Sequence, residues 1–210
     1  MKLLSATPSP YARKVRIALA EKRLDFELVT EVPWNADTST QLYNPLEKLP
    51  VLILNDGKTV FESDYILEWL EAMHPMPALV PSDCDSRLMA RRFEVIADGV
   101  CDAFVLHFFE RMRPEAQQSA AWIDRQMRKI EGGIAELART VPPGEFCVGE
   151  AFTIADIAVG TVMLYLDVRF PGFDWRSRYG ALAARVDRLD ARPSFAATRP
   201  VSQVIAASVV

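Results

Sequence analysis

Residues 7–19 decide the fold, and they read Thr7-Pro8-Ser9-Pro10-Tyr11-Ala12-Arg13-Lys14-Val15-Arg16-Ile17-Ala18-Leu19. A short apolar run at residues 2–5 precedes them, and apolar residues recur at helical spacing after Pro10. Ser9 can cap this helix because its hydroxyl can accept an amide hydrogen of the first turn, and Pro10 suits the first helical position. The stretch therefore predicts a strand, a tight turn and a helix, with the Ser9 hydroxyl in the positive field of the helix N-terminus. A helix cap without any chemistry explains the same pattern.

The rest of the first eighty residues predicts a small α/β domain. Residues 25–30 form a second strand, and a strand, a helix and a strand within thirty residues make a parallel βαβ unit. A loop at 32–37 and a short helix at 38–43 follow. The apolar run after Pro50, the turn Asn55-Asp56-Gly57-Lys58 and residues 59–61 predict an antiparallel hairpin. A helix then starts with Ser63 or Asp64 as its cap.

The remaining residues predict helices only. We expect one helix over 85–112, a second over 115–140 that stops at Pro142-Pro143-Gly144, and a third that Thr153 and Asp156 cap reciprocally. The third is apolar nearly all round, which predicts a buried centre. Further helices are expected at 179–190 and after Pro193. The residues expected on the buried faces of the three amphipathic helices are Ile66, Trp69, Leu70, Met73, Leu88, Phe93, Ile96, Ala97, Val100, Trp122, Ile123, Met127, Ile130, Ile134 and Leu137.

Two domains of different class follow from this pattern. We predict an α/β domain with a mixed four-stranded sheet over 1–77, a proline-rich linker over 78–85 and an all-helical domain over 86–210.

Composition narrows the class of protein. The chain has 210 residues, half of them hydrophobic, and a net charge of −4, which argues against a nucleic-acid partner. No stretch approaches the roughly 20 apolar residues of a membrane span, and the N-terminal apolar run is too short for a signal peptide. Cys84, Cys101 and Cys147 form no CxxC pair, and there are two histidines, so we expect buried, unreactive thiols and no metal site. These features predict a cytoplasmic protein without a membrane partner.

Four motifs in this order resemble the cytosolic glutathione S-transferases, and within them bacterial members with a serine in the active-site position. The motifs are Ser9-Pro10 with Arg13-Lys14-Val15-Arg16, Asn44-Pro45-Leu46 with Lys48-Leu49-Pro50-Val51-Leu52, Glu62-Ser63, and Phe152-Thr153-Ile154-Ala155-Asp156. The resemblance covers almost the whole length. It implies a thioredoxin-like N-terminal domain, a helical C-terminal domain, glutathione as co-substrate and a homodimer.

The resemblance also implies how glutathione is held. Pro50 would be a cis-proline that turns the backbone of Leu49 toward the cysteinyl part of glutathione. Glu62 would face the ammonium of the γ-glutamyl end, and Ser63 its α-carboxylate. Lys48 is the candidate for the glycyl carboxylate. The alternative interpretation of Glu62-Ser63 is a solvated charge with a helix cap. The alternative for Lys48 is a solvent-facing loop lysine.

Ser9 would activate the thiol of glutathione by donating its hydroxyl hydrogen in a hydrogen bond to the thiolate. Tyr11 is its rival because it lies two residues away and carries a phenolic hydrogen. Asp98 resembles an acid that some classes extend across the dimer interface to the neighbouring ligand, and a plain surface acid is the alternative. Thr153 and Asp156 would be structural.

The activity implied is a transferase that attacks a small hydrophobic electrophile with the thiol of glutathione, a detoxification reaction. Isomerisation, a related substitution and peroxide reduction remain open. The second hypothesis is a non-catalytic member of the fold that carries ligands or acts as a stress or regulatory adaptor. We expect the electrophile in an apolar pocket between the domains, with candidate wall residues Arg13, Phe104, Phe108, Phe109, Met112 and Tyr165.

Overall fold

The N-terminal half contains a mixed sheet of four strands. The structure, a computed structural model, describes residues 1–203 and 205. The strands are β1 (Lys2–Ser5), β2 (Glu27–Thr30), β3 (Val51–Ile53) and β4 (Thr59–Phe61). Their order is β2-β1-β3-β4, with β1 parallel to β2 and antiparallel to β3, and β3 antiparallel to β4. The predicted thioredoxin-like sheet is confirmed.

Eight α-helices complete the described part of the chain. They are α1 (Pro10–Glu21), α2 (Ser63–Met73), α3 (Cys84–Met112), α4 (Ala120–Thr140), α5 (Ile154–Arg169), α6 (Trp175–Arg178), α7 (Gly180–Asp190) and α8 (Pro193–Ala196). Two short 3₁₀ helices lie at Thr40–Leu42 and Glu115–Gln117. In the residues that the structure describes, none of the helices combines the length and the hydropathy needed to cross a bilayer.

Helix α5 is the centre of the helical half, as predicted. It is buried along most of its length and packs against α1, α3 and α7, so it joins the two halves of the chain. Thr153 and Asp156 form the predicted capping box at its start. Asp156 accepts the amide hydrogens of Thr153, at 3.0 Å, and of Cys147, at 2.8 Å, and it thereby fixes the preceding loop as well.

Several local predictions were wrong. The second long helix begins at Ala120 and not near residue 115, because Ser119 caps it and Gln118 is extended. Leu88, Met73 and Trp122 were expected to face inward. Their exposed fractions are 62% for Leu88, 59% for Met73 and 40% for Trp122. Helix α6 has four residues, which is too short to give a periodic signal.

The three cysteines are all free thiols, and they differ in burial. Cys101 and Cys147 are buried as expected, whereas Cys84 is exposed at the first residue of α3. The domain limits at residues 77 and 86 stay a prediction.

Candidate functional site

A cavity of about 670 Å³ lies between the sheet-containing half and helices α3 and α5. All six residues predicted for the site line it, namely Ser9, Lys48, Leu49, Pro50, Glu62 and Ser63. They come from three separate connections, β1–α1, the loop before β3, and the β4–α2 junction. The structure thus brings the predicted residues together, and their individual roles stay predictions.

Ser9 lies at the N-terminus of α1, as the Ser9-Pro10 pair predicts. Its side-chain oxygen accepts the amide hydrogen of Ala12 at 3.2 Å, and Pro10 occupies the first helical turn. An oxygen that accepts a hydrogen bond still has its own hydrogen to donate. The geometry therefore leaves the Ser9 hydroxyl hydrogen available for an anion in the positive field of this helix.

Tyr11 also lines the cavity, but its hydroxyl hydrogen has an acceptor. It donates to Asp102, on α3. Burial raises the pKa of Tyr11 far above its ordinary value, and the neighbouring Cys101 and Asp102 raise it further. Tyr11 therefore stays protonated and bonded to a carboxylate, which separates its role from that of Ser9.

The loop before β3 carries the Leu49–Pro50 peptide bond, which is cis as predicted. Asn44 shapes this loop and was not assigned a role from the sequence. Its side-chain NH₂ group donates to the backbone carbonyl of Lys48 at 2.8 Å, and its side-chain oxygen accepts from the backbone amide of Leu46 at 2.9 Å. Since Asn44 is buried and also lines the cavity, it fixes the backbone on which Lys48 and Leu49 stand.

Helix α2 is capped by Glu62 and not by Ser63 or Asp64, which corrects the sequence prediction. The Glu62 carboxylate accepts the amides of Asp64 and Tyr65 at 3.1 and 3.2 Å, and Ser63 Oγ donates to it at 3.1 Å. Glu62 has a φ of +76°, a region that residues other than glycine rarely adopt. This backbone turn lets the side chain reach back to its own helix while staying exposed at the cavity.

The wall nearest the helices is aromatic. Of the predicted wall residues, Phe108, Phe109 and Tyr165 line the cavity. Arg13 and Phe104 are buried in the core instead, and Met112 at the end of α3 lies outside the lining. Arg13 cannot act at the wall because its guanidinium donates to the carbonyl of Phe195, at 3.2 Å.

Several further lining residues were missed, and four of them stand out. Trp34, in the loop after β2, packs on Phe109 with ring centroids 4.4 Å apart. Arg169 ends α5, and Gln203 and Ile205 belong to the C-terminal segment. That segment reaches the site because Thr7 Oγ1 donates to the carbonyl of Val201 at 2.9 Å. Among these four residues, only Trp34, a tryptophan in a predicted loop, had a signal in the sequence.

A buried charge cluster lies outside the cavity lining, where α1 meets α2 and α3. The ammonium of Lys14 lies 2.6 Å from Asp64, 2.7 Å from Asp98 and 3.7 Å from Glu94. The three carboxylates converge within 4.8 Å, as metal ligands do, but the Lys14 ammonium already lies among them. Asp98, for which the resemblance suggested a role across a dimer interface and a plain surface acid was the alternative, is paired with Lys14 within its own chain.

Comparison with known proteins decides the family. The model for "Glutathione S-transferase, N-terminal domain" matches residues 8–73, and that for "Glutathione S-transferase, C-terminal domain" matches residues 120–188. A GST-like protein of Escherichia coli K12, YibF, is 36% identical over 95% of this chain and 98% of its own length. The chain belongs to the glutathione S-transferase family.

Solved glutathione S-transferases share the whole fold. A crystal structure of the Methylobacterium radiotolerans enzyme in complex with glutathione sulfonate is 61% identical, covers 98% of this chain and 97% of its own, and has a TM-score of 0.96. That of the Methylobacillus flagellatus enzyme with glutathione bound is 41% identical, covers 95% of this chain and 99% of its own, and has a TM-score of 0.91.

A further relative is known by its sequence. A probable maleylacetoacetate isomerase of Drosophila melanogaster is 31% identical over 75% of this chain and 65% of its own length.

Proposed function

We propose that this glutathione S-transferase family member binds glutathione and activates its thiol, with Ser9, for attack on a small hydrophobic electrophile. One observation carries the proposal, which is that Ser9, Leu49–Pro50 and Glu62–Ser63 line one cavity with a free hydroxyl hydrogen at the N-terminus of α1. Relatives of the same fold that hold glutathione sulfonate or glutathione support it.

Each part of glutathione would meet a matching group. The backbone N–H and C=O of Leu49 would pair with the cysteinyl residue like an added strand. The exposed Lys48 ammonium would hold the glycyl carboxylate. At the N-terminus of α2, the Glu62 carboxylate would hold the γ-glutamyl ammonium, and Ser63 would turn its hydroxyl from Glu62 to the α-carboxylate.

One hydroxyl group can supply the free energy that is needed to lower the pKa of the glutathione thiol. A thiol with a pKa of ~8.5 must be lowered by ~2 units to be mostly thiolate at neutral pH, which takes ~2.7 kcal/mol. A hydrogen bond to a charged acceptor supplies ~1.5–3 kcal/mol, and the helix dipole adds ~0.3–1 kcal/mol. In this scheme the thiol proton goes to solvent, Ser9 stays protonated, and sulfur forms its new bond as a leaving group departs from the electrophilic carbon.

The aromatic wall formed by Trp34, Phe108 and Phe109 suits an apolar electrophile. Isomerisation is a second candidate reaction, because a curated relative is a probable maleylacetoacetate isomerase. It would begin with the same thiolate, which adds to a double bond and leaves again after rotation. Both reactions need the thiol activation proposed for Ser9.

Calorimetric titration with reduced glutathione tests the binding step. We expect micromolar-to-millimolar affinity for the wild type, and about a three- to tenfold weaker affinity for Lys48→Ala. Lys58→Ala is the matched control, because Lys58 is an exposed lysine of the β3–β4 turn that pairs with Asp56. A folded protein that does not bind glutathione would contradict the proposal and favour a non-catalytic carrier or adaptor.

Turnover tests the chemical step. A dinitro-substituted aryl chloride is a suitable probe, because the thiolate displaces chloride and the product absorbs light. We expect glutathione-dependent turnover that falls at least about tenfold in Ser9→Ala. Glutathione binding without any turnover of this probe or of a cis-to-trans isomerisable diacid would contradict the proposed activity.

The proposal extends to a homodimer in the cytoplasm with a role in detoxification. The dimer is supported by membership of the family and by exposed apolar side chains on α2 and α3, including Tyr65, Leu88 and Val95. Light scattering over a range of concentrations tests it. A monomer mass at every concentration would contradict it.

A further inference from the structure

Arg169 places a positive charge in the otherwise aromatic wall of the cavity. It is the last residue of α5, it lines the cavity, and its guanidinium carbon lies 4.7 Å from the centre of the Phe108 ring. Its Nε is enclosed and has no hydrogen-bond partner among the described residues. Stacking of this kind holds the guanidinium plane but leaves its in-plane N–H groups for another acceptor.

Asp167, two residues before Arg169, and two acids of the cavity lining have other partners. Asp167 accepts the Trp175 indole N–H and Arg176, each at 2.7 Å. Asp102 accepts Tyr11, and Glu62 caps α2. Within residues 1–203 and 205, Arg169 has no ion pair, so its charge is available to a ligand in the cavity.

Tyr165 lies one helical turn before Arg169 and lines the same wall. The Arg169 guanidinium lies 5.9 Å from the centre of its ring. Burial raises the pKa of the Tyr165 hydroxyl, and the nearby Arg169 charge offsets part of that rise. The hydroxyl therefore remains a neutral donor beside the cation, so two donors share one end of an apolar cavity.

We propose that Arg169, assisted by Tyr165, recognises a carboxylate on the electrophile, so that the substrate class is an anionic electrophile with an apolar body. This inference rests on the proposed function and names the substrate class of the same site. A guanidinium and a carboxylate can form two parallel hydrogen bonds, and a partly buried pair of this kind is stronger than one in water. The aromatic wall would hold the body of the substrate, and Arg169 would fix the end away from the thiol.

The alternative is a purely structural arginine. A cation at a helix C-terminus is favoured by the helix dipole, and stacking on Phe108 adds to this. Under that alternative Arg169 would stabilise α5 without choosing among ligands. Ligand selectivity, and not stability, therefore separates the two.

Binding of matched glutathione conjugates provides the test. The probes are the S-(para-carboxybenzyl) and S-(para-carbamoylbenzyl) conjugates, which differ in charge and hardly in size. Calorimetry would measure both, and glutathione itself, on wild type, Arg169→Met, Arg169→Lys and Tyr165→Phe. The glycyl carboxylate is common to all three ligands, so its contribution cancels.

We expect the wild type to bind the carboxylate conjugate at least about tenfold tighter than the carboxamide, which is ~1.4 kcal/mol. Arg169→Met should abolish this preference with glutathione affinity unchanged, and Arg169→Lys should keep part of it. Tyr165→Phe should reduce it to a smaller extent.

Equal affinities for the two conjugates in a wild type that binds glutathione would overturn this inference and leave the proposed function standing. A preference that survives in Arg169→Met would also overturn it. Failure of glutathione itself to bind would instead remove the proposed function, and this inference with it.

Discussion

The hydroxyl of Tyr11 donates to the carboxylate of Asp102 and so joins the first turn of α1 to the middle of α3. Two residues earlier, the Ser9 oxygen accepts the Ala12 amide and keeps its own hydrogen. Two hydroxyls on one helical turn therefore face the same cavity in different hydrogen-bonding states. The contrast favours Ser9 as the donor to a thiolate.

Tyr11→Phe tests this assignment. The change removes the bond to Asp102 and keeps the ring, so we expect kcat/KM for conjugation to change by less than about threefold. Steady-state kinetics with the aryl chloride measures it, and Asp102→Asn is the matched control for the other partner. A loss of tenfold or more in Tyr11→Phe alone would instead assign thiol activation to Tyr11.

Lys14→Met should destabilise the fold strongly. Lys14 is buried, and its loss leaves the carboxylate of Asp98 without its cation and that of Glu94 with Arg91 alone. Breaking a buried ion pair on one side costs about 3–5 kcal/mol of the free energy of unfolding. Urea denaturation at neutral pH measures this.

The matched control for Lys14→Met is Lys58→Met, because Lys58 is 79% exposed. Its denaturation midpoint should stay at the wild-type value. Equal midpoints for the two variants would show that the buried cluster does not hold α1 to α2 and α3.

Asp98→Asn should change how stability depends on pH. Burial raises the pKa of Asp98 to about 7, and Asp64 adds to this although Lys14 opposes it. The folded protein then holds the proton more tightly than the unfolded chain, so Asp98 favours the folded state at low pH. That contribution is lost as the pH rises from about 4 through 7.

The measurement is the difference in the free energy of unfolding between wild type and Asp98→Asn across this pH range. Wild type should lose stability relative to the variant as the pH rises. Asp56→Asn is the control with the opposite sign, because the hydrogen bond from Lys58 lowers the pKa of Asp56. A difference for Asp98→Asn that is constant with pH would contradict the assigned shift.

Local signals in the chain were sufficient for the fold. The Ser9-Pro10 cap, the turn before β4 and the Thr153–Asp156 capping box are each short-range, and each appears in the structure as predicted. Signals of this kind depend on backbone hydrogen bonds that neighbours in sequence supply. The helix predicted over 115–140 ends where expected, but its start was wrong because Ser119 offers a stronger N-cap than the residues after Pro114.

The cavity was predictable only in part. The residues predicted for glutathione stand in motifs with fixed spacing, and the cavity gathers them. Arg169 and Gln203 were missed because their roles depend on contacts between segments far apart in sequence. Asn44 was missed although its contacts, with Leu46 and Lys48, lie within its own loop. The exposure of Leu88 likewise depends on what covers helix α3, which periodicity within the helix does not encode.

The measurement that tests the central claim most directly is the pKa of the glutathione thiol bound to wild type and to Ser9→Ala. The ultraviolet absorbance of the thiolate, followed against pH, reports it. Ser9→Thr, which keeps a hydroxyl and a cap, is the matched control for the loss of the cap in Ser9→Ala. We predict a bound thiol pKa ~2 units below the free value of ~8.5 in wild type, a rise of at least ~1 unit in Ser9→Ala, and partial recovery in Ser9→Thr. A folded Ser9→Ala protein that binds glutathione with the wild-type thiol pKa would contradict the account.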